Sequence, residues 1–338
     1  MRQVVITRHG DPEVLQLRES ADPTPGPGEV RIRVRAAGVN FADVLARLGL
    51  YPDAPPPPVV VGYEVCGVID ATGDGVTTRH AGDRVIALTR FGGYSDCITV
   101  PAELTFPAPD RLSDAEAAAI PVNYLTALLA LYKQANISAG ETVLVYGAGG
   151  GVGIAATQLA RLRRATIIGT ASSSKLGALR NFGVDHVIDH TISDVPTEVR
   201  RIVGDRGVDV ILDPIGGRSF QDSYRLLAPL GRLVMYGVSD MAGGERRSWL
   251  RALYSLMRMP KFKPLSMLHH NRGVFGLNLG HLWSEVRHLD GAMGLLLEEL
   301  NQGRLAPVVA KTFPMAQAAD AHRFLHSRAN IGKVVLTT

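Results

Sequence analysis

The sequence predicts an α/β protein in which repeated βα units build a parallel sheet behind a β-rich N-terminal third. Three observations carry this. Val143-Leu-Val-Tyr-Gly-Ala-Gly-Gly-Gly-Val-Gly153 is an apolar run that stops at glycines and opens a helical pattern from Ile154 to Leu162, which reads as strand, tight turn and helix start. Beyond it, short apolar runs alternate with helical stretches, as βα units do. Before it, short runs are broken repeatedly by proline and glycine.

In the N-terminal third, Val4–Ile6, Val14–Leu17 and the alternating Val30–Ala36 read as strands, with Pro23, Pro25, Gly26, Pro27 and Gly28 marking the turn between the latter two. Asn40–Tyr51 is helix-like and leads into Pro55–Pro58, a stiff extended connector. Val59–Ile69 and Gly82–Ala87 resume strand character. From Ser113 the pattern is helical, with Asp114 and Glu116 complementing the dipole of the first turn. Pro121 interrupts it, and a second helix from Val122 leads into the glycine strand. Then come a strand at Thr166–Ala171, a strand at His186–Asp189, a helix at Val195–Val203, a strand at Val208–Asp213, a helix at Tyr224–Leu230 and a strand at Arg232–Gly237. A sixth strand fits Gly273–Leu279. The tail has a helix at Val286–Leu300, a break at Gly303 and a closing strand at Gly332–Leu336.

Composition narrows the classes. The 338 residues suffice for two domains, and 46% hydrophobic with 20% charged residues describes a globular chain rather than a disordered one. Cys66 and Cys97 make no disulfide framework and point to a reducing compartment. The N-terminus lacks a secretory apolar core, and no apolar stretch reaches the roughly 18 residues of a membrane span, so a cytoplasmic protein is expected. A scattered net charge of +4 does not argue for nucleic acid.

The glycines at 147, 150 and 153 each have a physical use. Gly147 permits the sharp turn, Gly150 lets the backbone approach a pyrophosphate, and Gly153 lets the helix pack close to the strand. The free N–H groups of that helix favour an anion. A glycine triplet also fits an ordinary strand-to-helix turn; the following strand, in context, favours a dinucleotide. The acid that would grip a ribose 2′-hydroxyl, roughly 20 residues on, is absent. Thr170-Ala-Ser-Ser-Ser-Lys175 stands there instead and suits a 2′-phosphate, so NADP(H) is expected rather than NAD(H). The other reading of Ser172–Lys175 is a helix N-cap with a solvated lysine.

Resemblance extends the reading over essentially the whole chain. His9-Gly-Asp-Pro-Glu-Val-Leu, Ala37-Gly-Val-Asn-Phe-Ala-Asp-Val, Gly49-Leu-Tyr-Pro, Val122-Asn-Tyr-Leu-Thr-Ala, Gly149-Gly-Gly-Val-Gly, Gly169-Thr-Ala-Ser-Ser-Ser-Lys and Asp213-Pro-Ile-Gly-Gly carry it. On these the sequence resembles the zinc-independent quinone oxidoreductases of the medium-chain dehydrogenase/reductase superfamily, and most of all their vesicle amine transport group. The resemblance implies a GroES-like catalytic domain from residues 1–122 and 283–338, a doubly wound (Rossmann) NADP(H)-binding domain from 123–282, an active site between them, and a homodimer joined through the sixth strands. The superfamily's zinc-ligand positions fall on Asn40, Tyr63 and Val122, which do not ligate zinc well, and two cysteines cannot form a four-cysteine lobe. No metal is expected.

Without a Lewis acid, the favoured reaction is hydride transfer from NADPH to a quinone or an α,β-unsaturated carbonyl, a small apolar acceptor that spreads the arriving charge over a conjugated oxygen. By resemblance Asn40, Tyr51 and Tyr63 are the candidate catalytic residues. Asn40 and Thr126 would fix the nicotinamide ribose or amide, and Tyr51 or Tyr63 would donate to the oxyanion. The sequence does not choose between the tyrosines, and each also reads as a packed aromatic. Asp43 reads as structural. The candidate cofactor contacts are Gly147, Gly149, Gly150, Gly151, Val152, Gly153, Thr170, Ser172 and Lys175, joined through the resemblance by Gly216, Gly237 and Asn330.

Ser239–Arg272 is a long connection. Within it Trp249, Leu250, Leu253, Leu256 and Met257 recur at helical spacing opposite Arg247, Arg251 and Arg258, an amphipathic basic helix. It reads as a lid or dimer-packing helix, or as a segment, 245–260, that touches an anionic membrane. Two functions stand beside the quinone or enone reductase. One is an NADPH-binding protein acting through membrane or lipid association with little turnover. The other is an enoyl-thioester reductase, which would need a basic groove for the carrier phosphate.

Overall fold

A computed structural model describes residues 1–243 and 248–338. These form two compact units, one of Met1–Leu125 with Gly280–Thr338, the other of Thr126–Gly243 with Ser248–Leu279.

The first unit opens with an antiparallel pair, β1 (Arg2–Ile6) and β2 (Leu15–Glu19). There follow β3 (Glu29–Val39), α1 (Phe41–Leu48), β4 (Glu64–Thr72), β5 (Arg84–Leu88), β6 (Cys97–Pro101), β7 (Thr105–Pro107) and α2 (Asp114–Ala118). Asn40 caps α1, and the Asp43 carboxylate accepts from the Asn40 N–H at 2.8 Å, which makes Asp43 a structural acid. Ser113 and Glu116 cap α2 reciprocally, at 3.3 and 2.9 Å. The strand expected from Val59 begins only at Glu64. Gly62, at φ +106°, turns the chain so that its N–H reaches Asp43 Oδ1 at 3.0 Å.

Helix α3 (Pro121–Leu128) leads into the second unit. There β8 (Thr142–Val145), α4 (Gly151–Leu162), β9 (Thr166–Ala171), α5 (Leu176–Asn181), β10 (His186–Asp189), α6 (Val195–Val203), β11 (Val208–Asp213), α7 (Arg218–Leu226), β12 (Leu227–Met235), α8 (Trp249–Met257), α9 (Pro264–His270) and β13 (Gly273–Gly276) follow in turn. The strands are all parallel, in the order β10-β9-β8-β11-β12-β13. The helix expected at Tyr224–Leu230 lies instead at Arg218–Leu226, and Leu227 already opens β12. Asp213, at the end of β11, accepts from Ser219 Oγ at 2.6 Å and Ser223 Oγ at 2.7 Å, which pins that helix early. His269 and His270 close α9.

Helix α8 forms where the periodicity predicts it, but only Ala252 and Ser255 are buried; Trp249, Leu250, Leu253, Leu256 and Met257 are exposed. Arg247 and the start of the 245–260 segment lie outside the described residues. Among the described residues no helix is long and apolar enough to cross a membrane.

The chain then returns to the first unit through α10 (Val286–Asn301), β14 (Val309–Pro314), α11 (Ala318–His326) and β15 (Lys333–Thr337). The sheet order is β14-β15-β3-β4-β5-β7, with β6 also on β3. β15 runs antiparallel to β3, Val335 opposite Gly38, so the last strand completes a core of Ile6, Ile32, Val65, Val85, Val334 and Leu336. Neither β14 nor α11 is among the elements expected from the sequence.

Candidate active site

In the second unit the strand order reverses between β8 and β11, and the site loops gather at the carboxyl ends of the strands. Gly147 leaves β8 at φ +62°, and its N–H donates to Thr170 Oγ1 at 3.2 Å while Ala148 N donates to Thr170 O at 3.0 Å. Thr170 thereby ties the turn to β9. Gly150 is the N-cap of α4, so Gly151, Val152 and Gly153 present the unpaired N–H groups of its first turn. A Cβ on Gly153 would lie 2.5 Å from Gly147 O and 2.6 Å from Ala148 Cα. Helix and turn are in backbone contact there.

Lys175 is buried rather than solvated, and its stem lies on the turn: a Cβ on Gly149 would stand 3.0 Å from Lys175 Cδ. Ser172 caps the short turn that delivers it, accepting from Lys175 N at 2.9 Å through its carbonyl. No carboxylate ends β9, but Asp189 ends β10, opposite Ala171. Its carboxylate accepts from Ser173 Oγ, from Thr191 N at 2.9 Å and from Thr191 Oγ1 at 2.5 Å, and these bonds hold it below the usual carboxylate range. Reading along the chain missed Asp189, because only the parallel register brings it to this edge.

Gly216, at φ +89°, follows β11 and Gly237 follows β12. Cβ atoms on them would lie 3.2 Å from Val238 Cα and 2.9 Å from Pro214 O respectively, so the two loops fit against each other. Burial raises the carboxyl of Asp213, which also accepts from Ile215 N at 2.8 Å and holds the loop.

In the first unit Asn40 lies in a buried polar cluster. Its Nδ2 donates to Glu64 Oε1 at 2.9 Å, its Oδ1 accepts from Lys333 Nζ at 2.6 Å, and Lys333 pairs with Glu64. The other Glu64 oxygen accepts from Val122 N at 2.7 Å. Of the positions that the resemblance aligns with zinc ligands, Asn40 and Val122 are therefore both bonded to Glu64, whose charge Lys333 neutralises. Among the described residues no group of three or more His, Cys, Asp or Glu side chains is placed to hold a metal. Glu64 and Lys333 escaped the sequence reading, although a lysine placed directly before the apolar run Val334–Leu336 is the signal that marks such a pair.

Tyr51 and Tyr63 meet edge to face with ring centroids 6.1 Å apart, and Phe91 backs Tyr63 at 5.5 Å. The Tyr63 hydroxyl is buried and finds no hydrogen-bond partner among the described residues, and burial, then the nearby Asp43, pushes its pKa upward. Tyr51 is half-buried. Thr126 is buried on α3, and Asn330 is buried and donates to Gly332 O at 2.8 Å, shaping the entry to β15. Behind Asp43 lies a chain of buried groups: Tyr94 OH donates to Asp43 Oδ2 at 3.0 Å and stands 3.0 Å from His322 Nε2.

A glycine turn that opens a helix where a parallel sheet of order 3-2-1-4-5-6 reverses defines the dinucleotide-binding class of dehydrogenases and reductases. The family description "Zinc-binding dehydrogenase" matches residues 182–336, and "Alcohol dehydrogenase GroES-like domain" matches residues 26–110. The chain is 41% identical to the human synaptic vesicle membrane protein VAT-1 homolog, over 99% of this chain and 86% of that protein. It is 31% identical to the quinone oxidoreductase of Rattus norvegicus, over 99% and 97%. The Escherichia coli quinone oxidoreductase complexed with NADPH superposes with a TM-score of 0.88 at 28% identity, covering 100% of both chains. The chain belongs to the medium-chain dehydrogenase/reductase superfamily of oxidoreductases and fits its VAT-1 group.

Proposed function

We propose that this protein is an NADPH-dependent oxidoreductase that reduces a small, mostly apolar quinone or α,β-unsaturated carbonyl without a metal. The observation that carries the reading is Lys175 lying on the Gly147–Gly153 turn. A buried ammonium over a helix N-terminus is a site for phosphate, and no carboxylate on β9 stands ready for a ribose 2′-hydroxyl. The NADPH-bound bacterial quinone oxidoreductase and the rat quinone oxidoreductase, both similar to this chain, support it.

When bound, NADPH supplies the hydride. The N–H groups of Gly151, Val152 and Gly153 would receive the pyrophosphate, with Gly149 and Gly150 letting the backbone approach it, Lys175 with Ser172 and Thr170 would receive the 2′-phosphate end, and Gly216 and Gly237 leave room along the loops. Asn40, held by Glu64 and Lys333, and Thr126 and Asn330 orient the nicotinamide end. Tyr63 is the donor to the developing oxyanion. Its hydroxyl has no partner among the described residues, and its raised pKa keeps the proton in place, so it acts as a hydrogen-bond donor and not as a base. We place the protein in the cytoplasm as a homodimer paired through the outer edge of β13.

The test is NADPH oxidation followed by absorbance over a panel of quinones, enones and enoyl thioesters, beside affinities for NADPH and NADH. Turnover with quinones or enones and much tighter binding of NADPH support the reading. Tight NADPH binding without turnover favours a binding protein, turnover confined to enoyl thioesters favours the thioester reductase, and preference for NADH sinks the 2′-phosphate assignment.

A further inference from the structure

The segment that carries Lys175 is short and weakly held by its own bonds. After β9 the chain makes a single turn, Ser173–Lys175, closed by Lys175 N donating to Ser172 O at 2.9 Å, and α5 follows at once. Ser173 and Ser174 are exposed. A lone bond does not fix such a turn, because ordering its dihedrals costs more than that bond returns. The shape of the turn, and with it the point from which the Lys175 side chain sets out toward Gly149, therefore depends on ties to neighbouring elements.

Such ties stand on both sides. Upstream, Thr170 joins the end of β9 to the glycine turn by accepting from Gly147 N. Across the sheet edge, β10 supplies Asp189. Its backbone lies opposite Ala171, and the next residue, His190, donates from its N–H to Ala171 O at 3.1 Å. Its side chain reaches further: Asp189 Oδ2 accepts from Ser173 Oγ, while Oδ1 accepts from Thr191 N at 2.9 Å and Thr191 Oγ1 at 2.5 Å. Ser173 Oγ and Thr191 Oγ1 stand 3.3 Å apart, which closes the cluster. Asp189 is buried, and these donors occupy three of the about four lone-pair positions that its carboxylate offers. The acid is aimed at the protein's own turn, with Thr191 fixing its plane.

We propose that Asp189 is a positioning residue for cofactor choice: by holding Ser173 it fixes the 172–175 turn, so that Lys175 stays on the glycine turn and meets the 2′-phosphate of NADPH. The role rests on NADPH being the cofactor, as proposed above. A carboxylate near this position would ordinarily favour NADH, by repelling a 2′-phosphate and by accepting from a free 2′-hydroxyl. Committed to Ser173 and Thr191, Asp189 serves the opposite preference. NADH has no 2′-phosphate for Lys175 to meet, so its binding is indifferent to the turn.

Dissociation constants for NADPH and NADH are measured by fluorescence titration on the full chain. Asp189→Ala should weaken NADPH binding by about tenfold, the loss expected when a hydrogen bond to a charged group goes, and leave NADH within about twofold. Ser173→Ala, at an exposed position where the fold is not at risk, should reproduce that loss, and the two together should cost no more than either alone. In a Lys175→Met background Asp189→Ala should change neither affinity, because the ammonium it positions is gone. NADPH affinity retained by both Asp189→Ala and Ser173→Ala overturns the role. So does tighter NADPH binding by Asp189→Ala, which makes the acid a repellent, or weaker NADH binding, which makes it a ribose acceptor, or a further loss of NADPH affinity in the Lys175→Met background. A wild-type chain that binds NADH as tightly as NADPH overturns the 2′-phosphate reading itself, whereas a preference for NADPH that survives the loss of Asp189 overturns the positioning role alone.

Discussion

Lys333 Nζ lies 2.6 Å from Asn40 Oδ1, 293 residues away in the chain, and neutralises Glu64 on the same side. All three groups are buried. The contact locks the last strand onto the N-cap of α1 and sets the plane of the Asn40 carboxamide, because one amide atom must accept while the other donates.

Replacing Lys333 by methionine leaves the Glu64 charge buried without its counter-ion. A loss of about 3 to 5 kcal/mol in urea unfolding is expected. Adding Glu64→Gln should restore much of it, since the uncompensated charge is then gone. A Lys333→Met variant as stable as the wild type would refute the account of this cluster.

The two tyrosines separate by their hydroxyls. Tyr63→Phe removes a buried hydroxyl that has no partner among the described residues, so stability should hold or rise slightly. Turnover should nonetheless fall by about 100-fold if Tyr63 donates to the oxyanion. Tyr51→Phe should leave kcat within a few-fold, and the reverse pattern would transfer the role to Tyr51.

Gly147 and Gly153 respond to alanine for different reasons. At Gly147 nothing stands within 4 Å of a Cβ, and only the φ of +62° resists, at roughly 1 to 2 kcal/mol. At Gly153 the methyl meets backbone at 2.5 Å, and relief requires α4 to move off the turn, at about 1 to 3 kcal/mol. Gly153→Ala should therefore weaken NADPH binding more than Gly147→Ala does, measured by fluorescence titration.

The pH dependence follows from Asp43 and His322. Burial, against hydrogen bonds from Asn40, Tyr94 and Gly62, pushes the Asp43 carboxyl up to about 7. The fold thus holds a proton that the unfolded chain releases near pH 4, and this group's contribution to stability declines as pH rises from about 4 to about 7. Burial, then the charge of Arg47, lowers the pKa of His322 well below its usual value of 6.5. The unfolded chain takes up a proton that the folded one refuses, so this contribution is lost as pH falls below about 6.5. The two slopes oppose, each at most about 1.4 kcal/mol per pH unit. His322→Gln should expose a decline with rising pH between about 4.5 and 6.5, and Asp43→Asn a decline with falling pH. Urea midpoints across that range read both, and identical slopes in the two variants would contradict the assignment.

Along the chain, local pattern determined a good deal. The glycine turn, β9, β10, β11, α6, the long α10 and the helix starts at Asn40 and Ser113 are legible because strand and helix periods and the charges of a first turn act over a few residues. The placement of Lys175 after β9 is local in the same way. Tertiary structure decided what depends on pairing across distance. Only the register of β10 on β9 brings Asp189 beside Ser173, and only β15 lying on β3 puts Lys333 against Asn40 and Glu64. Asp213 shifts α7 upstream through two serine hydroxyls, which no period encodes. The amphipathic stripe of α8 is plain in the sequence, yet a period fixes only which residues share a face. Whether that face turns toward the core or toward solvent depends on what it packs against, and here Ala252 and Ser255 take the inner side.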